Sequence, residues 1–260
     1  MSEANRELVI AYYKALWGGG SDDSLGRFLA PGHTEHQYTA GFTHRGLTDY
    51  VQRRLSAYPD HRVILHHVLS ENSLVFLFVQ ESVGGNVDYA RAEMFRLQDG
   101  LLVEHWNSCV LDEKSRKNSN QTFGGTPVNR AKDYSRRFGA MFEALDKRGF
   151  DGQEIDVFNE SRTPEYKQHS PKGGDGRAGL VEILGKAKAA GIKTSMTCYR
   201  TLCDGDFLVS HRLYDSKPTH PLMTRIYTFD MFRLNSHGKA EEHWDVMDSV
   251  PSAELLDKMI

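Results

Sequence analysis

The sequence contains itself twice. Met94-Phe95-Arg96-Leu97 returns as Met231-Phe232-Arg233-Leu234, and Glu104-His105-Trp106 returns as Glu242-His243-Trp244. Upstream, His36 precedes Gly46-Leu47 by ten residues, as His169 precedes Gly179-Leu180. The separations are 133, 137 and 138 residues. Chance gives one such match, not several in nearly constant register, so the chain is a tandem repeat. The second copy gains four residues before its third long strand, within 216–221, and one more in its last turn. A unit of this length is too long for a solenoid repeat and right for a domain. The expected division is 1–111, a linker over 112–129 and 130–260. The linker is read from Lys114 to Asn120 and from Gly124-Gly125-Thr126-Pro127, which lack apolar periodicity.

Each copy reads helices first, strands afterwards. Leu8, Tyr12, Ala15 and Leu16 mark one helix face ahead of Gly18-Gly19-Gly20. Ala131, Tyr134, Phe138, Met141, Phe142 and Leu145 do the same ahead of Gly149. Further helices are expected over 47–55 and 180–190. Strand-like runs follow at 61–70, 75–82, 88–97 and 101–110, and again at 193–203, 206–214, 223–234 and 239–247. Asp99-Gly100 and His237-Gly238 supply residues that tolerate positive φ at tight hairpins. Segregated helices followed by an antiparallel meander give an α+β class.

Composition excludes several functions. Lys plus Arg is 32 against 35 Asp plus Glu, a net charge of −3 that calls for no nucleic acid. Apolar runs such as 74–79 are strand-sized, so no membrane span is expected. Met1–Arg6 leads into an amphipathic pattern, not a signal-peptide core, and three cysteines (Cys109, Cys198, Cys203) make no CxxC pair. Reduced thiols and a cytoplasmic location are expected. Cys198 and Cys203 sit in apolar strand contexts and read as core residues.

The chemistry-bearing residues lie on the last two strands of each copy. Residues two apart share a strand face, so His243 and Asp245 point one way while Glu242 and Trp244 point the other. Asp230 shares its face with Phe232 and Leu234. If those faces are the concave one, three ionisable groups meet among apolar side chains, where burial raises a carboxylate toward neutrality. His169 lies upstream, where it could reach the mouth of such a pocket. The first copy has His36, Glu93, His105 and Asn107 at matching places, and the Asn107 amide cannot exchange a proton. The second copy is therefore the fuller acid/base set, and the first reads as degenerate. A structural alternative stands beside this one: a solvated Asp245, and Asp230 simply paired with an arginine. Gly173-Gly174-Asp175-Gly176 follows no buried parallel strand and lacks a Lys-Ser/Thr, so it reads as a loop.

Glu242-His243-Trp244-Asp245, with Asp230-Met231-Phe232-Arg233 and Tyr166-Lys167-Gln168-His169-Ser170-Pro171, resembles the SnoaL-like polyketide cyclase family. That family lies in the nuclear transport factor 2-like superfamily. The resemblance implies two tandem cones, each a curved antiparallel sheet around N-terminal helices with a deep apolar pocket, and no cofactor. It implies that Asp245 is the acid/base of an aldol-type closure, that His169 is the pocket histidine, and that Asp230 matches the Asp of the Asp-x-Phe-Arg stretch. Members of that family commonly dimerise through the outer sheet face. The resemblance thus implies an intramolecular pseudo-dimer, itself monomeric or further dimerised, with Trp106 and Trp244 as candidates for the buried contact.

Three functions follow as expectations. The first is a cofactor-free enzyme, a cyclase, isomerase or lyase, moving a proton beside the carbonyl of a small apolar substrate. In it Asp245 shuttles the proton, His169 or His243 polarises the developing enolate oxygen, and Asp230 orients a histidine. The second is a non-catalytic small-molecule binding protein. The third is a metal-dependent enzyme in which His36, Glu93 and His105 converge. No HxH or HExxH spacing supports that third reading.

Overall fold

The computed structural model describes residues 2–217, 225–250 and 252–260. The expected insertion within 216–221 therefore falls largely outside the described residues. The chain divides into two units, residues 1–111 with 251–260, and residues 112–250.

In the first unit, helix α1 (Ser2–Trp17) buries Val9, Tyr12, Tyr13 and Leu16, spaced to form one stripe. The short α2 (Asp22–Leu25) and strand β1 (Leu29–Glu35) follow. Helix α3 (His44–Ala57) starts where the Thr43 side chain accepts from the Gly46 amide at 3.0 Å. Strands β2 (Arg62–Glu71), β3 (Leu74–Val83), β4 (Val87–Gln98) and β5 (Leu101–Leu111) form the meander. The sheet order is β1-β5-β4-β3-β2, with β1 parallel to β5 and the other pairs antiparallel. Val75, Leu77, Val79 and Phe95 join the residues of α1 and α3 in one core.

The second unit repeats this plan. Helix α4 (Tyr134–Asp151) is followed by α5 (Phe158–Ser161), β6 (Arg162–Gln168) and α6 (Gly176–Ala189). Strands β7 (Lys193–Asp204), β8 (Phe207–Lys217), β9 (Arg225–Leu234) and β10 (Ala240–Ser249) complete a sheet of order β6-β10-β9-β8-β7. Again the edge strand β6 is parallel to its neighbour β10. Phe142, Tyr166, Leu208, Phe232 and Leu234 form its core. The expected α+β class, two tandem units of N-terminal helices against a largely antiparallel sheet, is what the structure has.

Four readings need correction. Residues 112–129 are no free linker: Arg116 donates to the His169 carbonyl at 2.7 Å, Asn118 to that of Ser170 at 2.6 Å and Asn120 to that of Gln168 at 3.0 Å. Side-chain amides binding backbone carbonyls leave no apolar period to read. The tail 251–260 belongs to the first unit instead, where helix α7 (Ala253–Met259) offers the Lys258 carbonyl to His36 at 2.7 Å. Helix α4 does not stop at Gly149 but runs two residues on. Gly149 is there because Phe158 packs against it, and an added Cβ would lie 2.2 Å from the Phe158 ring. Cys198 is exposed and so not a core residue, whereas Cys203, half-buried, packs against the core of its unit as expected. Strands β1 and β6 escaped the sequence because each carries a proline (Pro31, Pro164), tolerated only because these are edge strands. No helix among the described residues is long and apolar enough to cross a membrane.

Candidate active site

Strand alternation on β10 sends His243 and Asp245 to the helix side of the sheet and Glu242 and Trp244 to the other. Antiparallel register sets Asp245 opposite Asp230 of β9, and His243 opposite Phe232. Parallel register with β6 sets His243 beside Gln168. The sequence-predicted Asp230, His243 and Asp245 are therefore brought together. His243 Nε2 lies 3.1 Å from Asp230 Oδ1, and His243 Nδ1 lies 3.1 Å from Gln168 Oε1 and 4.0 Å from Asp245 Oδ2. The ring stacks on Phe232 and Tyr166, with centroids 4.6 and 6.1 Å away.

This cluster is nearly shut off from water. Asp230 and His243 are 4% and 8% exposed, and the Asp245 side chain 9%. Burial pushes the Asp245 carboxyl up from 3.8 to about 6. His243 pulls against that shift, the negative charge of Asp230 adds to it, and Ser170 and Lys172 oppose it. Asp230 has its own cationic support. Its Oδ2 accepts from the Tyr214 hydroxyl at 3.2 Å and lies 3.6 Å from the Arg212 guanidinium. Arg212 in turn donates to the Tyr214 oxygen and to Asp146 Oδ2, each at 3.0 Å, and bonds Glu143. Burial would lift Asp146, but the guanidinium groups of Arg162 and Arg212 outweigh it and hold its carboxyl below the ordinary value.

His169 is not part of this cluster. It lies on the other face of the sheet, stacked on Trp244 at 4.4 Å, its Nε2 3.1 Å from Glu242 and its Nδ1 2.7 Å from the Gln121 carbonyl. Adjacent strand residues face opposite ways, so Gln168 rather than His169 enters the interior. Burial works to raise Glu242, but hydrogen bonds from His169, Thr126 and Arg233 hold its carboxyl down at about 2. Gly125, at φ 110°, closes over this outer group, and a Cβ there would lie 2.3 Å from the Trp244 ring. Trp244 is thus taken up within its own unit, its indole N–H donating to the Gly124 carbonyl at 3.0 Å.

The first unit repeats the outer group and rebuilds the inner one. His36 stacks on Trp106 at 4.9 Å, with Nε2 3.5 Å from Glu104. His36 therefore does not converge with Glu93 and His105, and the expected metal triad is not formed. Instead Glu35 enters from β1. His105 is held between Glu35 (Nδ1 to Oε2, 2.8 Å) and Glu93 (Nε2 to Oε2, 2.8 Å). Although burial pulls His105 down, the two carboxylates push it up to about 9. Burial likewise works against Glu35, but His105 holds it at about 2. Arg91 binds Glu93 at 2.7 Å and Glu81 at 3.0 Å, and the Tyr13 hydroxyl donates to Glu93 at 3.1 Å. Asn107 stands opposite Glu93 and is half-buried.

Among the described residues, one group of three metal-ligating side chains converges: Asp230, His243 and Asp245, with ligand-type atoms within 4.8 Å. The nearest approaches of its two carboxylates are to opposite ring nitrogens, and Asp230 is already engaged by Tyr214 and Arg212. That disposition suits proton exchange better than a shared ion. Gln168, Glu35, Arg212 and Arg91 were not singled out from the sequence as site residues. The signal for two of them was there: Glu35 and Gln168 precede the matched His36 and His169, at the same separation of 133.

Solved structures resemble the chain over one half of its length. A SnoaL-like polyketide cyclase from Agrobacterium tumefaciens is 18% identical, covers 46% of this chain and 97% of its own, and gives a TM-score of 0.37. The chain is similar to SnoaL-like polyketide cyclase structures. TsrD from Streptomyces laurentii is 18% identical (44% and 90% covered, TM-score 0.39), and an LEH-like epoxide hydrolase from M. tuberculosis is 14% identical (43% and 85%, TM-score 0.36). No protein-family model and no curated protein matches the sequence.

Proposed function

We propose that the second unit is an acid/base enzyme acting beside the carbonyl of a small, largely apolar compound, with Asp245 as the proton carrier. The supporting observation is a buried carboxyl lifted to about 6, 4.0 Å from an imidazole that a second carboxylate holds in place. A carboxyl of that acidity is ionised near neutral pH yet basic enough to accept a proton from carbon. The Asp245 carboxylate removes a proton from the carbon next to the carbonyl, and the electron pair moves onto the carbonyl oxygen as an enolate. The carboxylic acid so formed returns the proton. Given to another carbon, it completes an isomerisation. Given to the alkoxide made when the enolate carbon attacks a second carbonyl of the same molecule, it completes an aldol-type ring closure. His243, 4.0 Å from Asp245, acts on the carboxyl through its charge and not through a direct hydrogen bond, and Asp230 orients the ring. His169 has no part in this chemistry.

The test is carbon–deuterium exchange in D2O, followed by NMR with acetophenone, cyclohexanone and 1-tetralone. The wild-type chain is expected to exchange at least one of them, and Asp245→Asn to lose about 10²–10⁴ of the rate. Equal exchange by the variant overturns the proposal. So does activity that tracks stoichiometric metal and disappears with EDTA.

A further inference from the structure

We propose that Gln168 is the positioning residue of this site: its side-chain carbonyl fixes the His243 ring through Nδ1 and, being uncharged, leaves the imidazole free to exchange its proton. This rests on the proton-transfer reading above. Gln168 Oε1 accepts from the Ser170 backbone N–H at 2.9 Å, which fixes the end of the amide that faces His243. His243 Nδ1, at 3.1 Å from the same oxygen, must therefore be a donor, and the proton the ring can give up is the one on Nε2, which donates to Asp230 at 3.1 Å. The amide has little room to turn, because a Cβ on Gly173 would lie 2.6 Å from Gln168 Cγ and 2.9 Å from its Nε2. Asn120 Nδ2 donates to the Gln168 backbone carbonyl at 3.0 Å and so holds the main chain at this position.

The first unit performs the control experiment. Glu35 takes the same register against His105 and the same local bond, its Oε1 accepting from the Gln37 N–H at 3.0 Å. There both imidazole nitrogens meet carboxylates. In the second unit one of the two is an amide. A ring clamped between two carboxylates keeps its proton, and a ring bonded to an amide on one side can give it up. The other charged and titratable groups packed around His243 are Asp230 of β9, Asp245 of β10, and Arg212 and Tyr214 of β8. Arg162 and Tyr166 come from β6, Glu143 and Asp146 from α4, and Lys172 from the segment after β6.

The experiment is imidazole ¹⁵N NMR titration of the full chain, with pH–rate profiles of ketone exchange alongside. Gln168→Glu is expected to raise the His243 titration midpoint by one unit or more over wild type. The rate profile should move with it, and kcat should fall about tenfold or more with KM little changed. Glu35→Gln reads the same rule from the other half, should Gln168→Glu fold poorly: His105 is expected to fall by a unit or more from about 9. Unmoved midpoints in both variants overturn the proposal. A moved His243 midpoint with an unmoved rate profile also overturns it. Absence of exchange by the wild type defeats the function proposed above, while the titrations still decide whether this amide sets the charge of the ring.

Discussion

On the inner faces of β5 and β10 the same register positions are filled to opposite ends. In the first unit His105 sits between Glu35 and Glu93, with Arg91 closing the group and Glu81 gathering Arg91, Arg54 and His61. In the second unit His243 sits between Gln168 and Asp230, with Asp245 where the first unit has Asn107. The arginine has also changed strands. Matching Arg96 to Arg233 puts Arg91 where Thr228 stands, Val79 where Arg212 stands and Glu81 where Tyr214 stands. Each half thus places a guanidinium near the carboxylate of its next-to-last strand. The first saturates every charge and becomes a buried ion network. The second sets Asp245 4.0 Å from His243 with the charge of Asp230 across the hairpin, and burial lifts its carboxyl toward neutrality. A scaffold that tolerates both arrangements lets a handful of residues decide between structural electrostatics and proton exchange.

The contrast can be broken experimentally at several points. The largest effect is expected from Asp245→Asn on exchange rate, set against Asn107→Ala, which is expected to leave the rate unchanged. An equal loss from Asn107→Ala would place chemistry in both halves. Next comes Arg91→Met, which strands Glu93 and Glu81 in the interior. It should cost about 3–5 kcal/mol of local stability, read as faster hydrogen exchange in β4 peptides by mass spectrometry. Loss confined to the second unit would contradict the network described above.

The pH dependence should separate the halves as well. Glu35 and Glu81 are held at about 2, below their ordinary 4.5, so their contribution is present above 4.5 and is lost as pH falls toward 2. His105, raised from 6.5 to about 9, contributes fully below 6.5 and loses that contribution as pH rises through 9. Asp245 has the opposite sign for a carboxylate: its raised value means that stability falls as pH rises from 3.8 through about 6 and stays reduced above that. Asp245→Asn should therefore stabilise the second unit by up to about 3 kcal/mol at pH 8 and by nothing at pH 3. A urea series at both pH values tests this. The smallest effect is expected from Gly125→Ala, which meets Trp244 in the outer group and asks a non-glycine to hold φ 110°. A loss of about 1–3 kcal/mol in the second unit, read by thermal unfolding, is expected.

Much of the architecture was legible because it depends on local pattern. The repeat, the eight long strands and the four long helices follow from alternation, helical spacing and glycine punctuation, all of which survive in a linear string. So does the pairing of His243 with Asp245, since strand geometry alone puts residues two apart on one face. Asp230 joined them once a tight hairpin was assumed between β9 and β10.

The tertiary structure decided what the string could not order. The parallel edge strands β1 and β6 pair with partners some seventy residues away, and a proline in each erases the local signal. Their placement is what sends Glu35 and Gln168 inward and turns His36 and His169 out onto tryptophans. The segment 112–129 likewise binds through side chain-to-carbonyl bonds that have no period. Above all, the acidity of Asp245 is a property of its surroundings. Burial, His243 on the same strand, Asp230 across the hairpin, and Ser170 and Lys172 from the segment after β6 set it together, and only the folded chain assembles those groups around one carboxyl, in an interior that screens charge poorly.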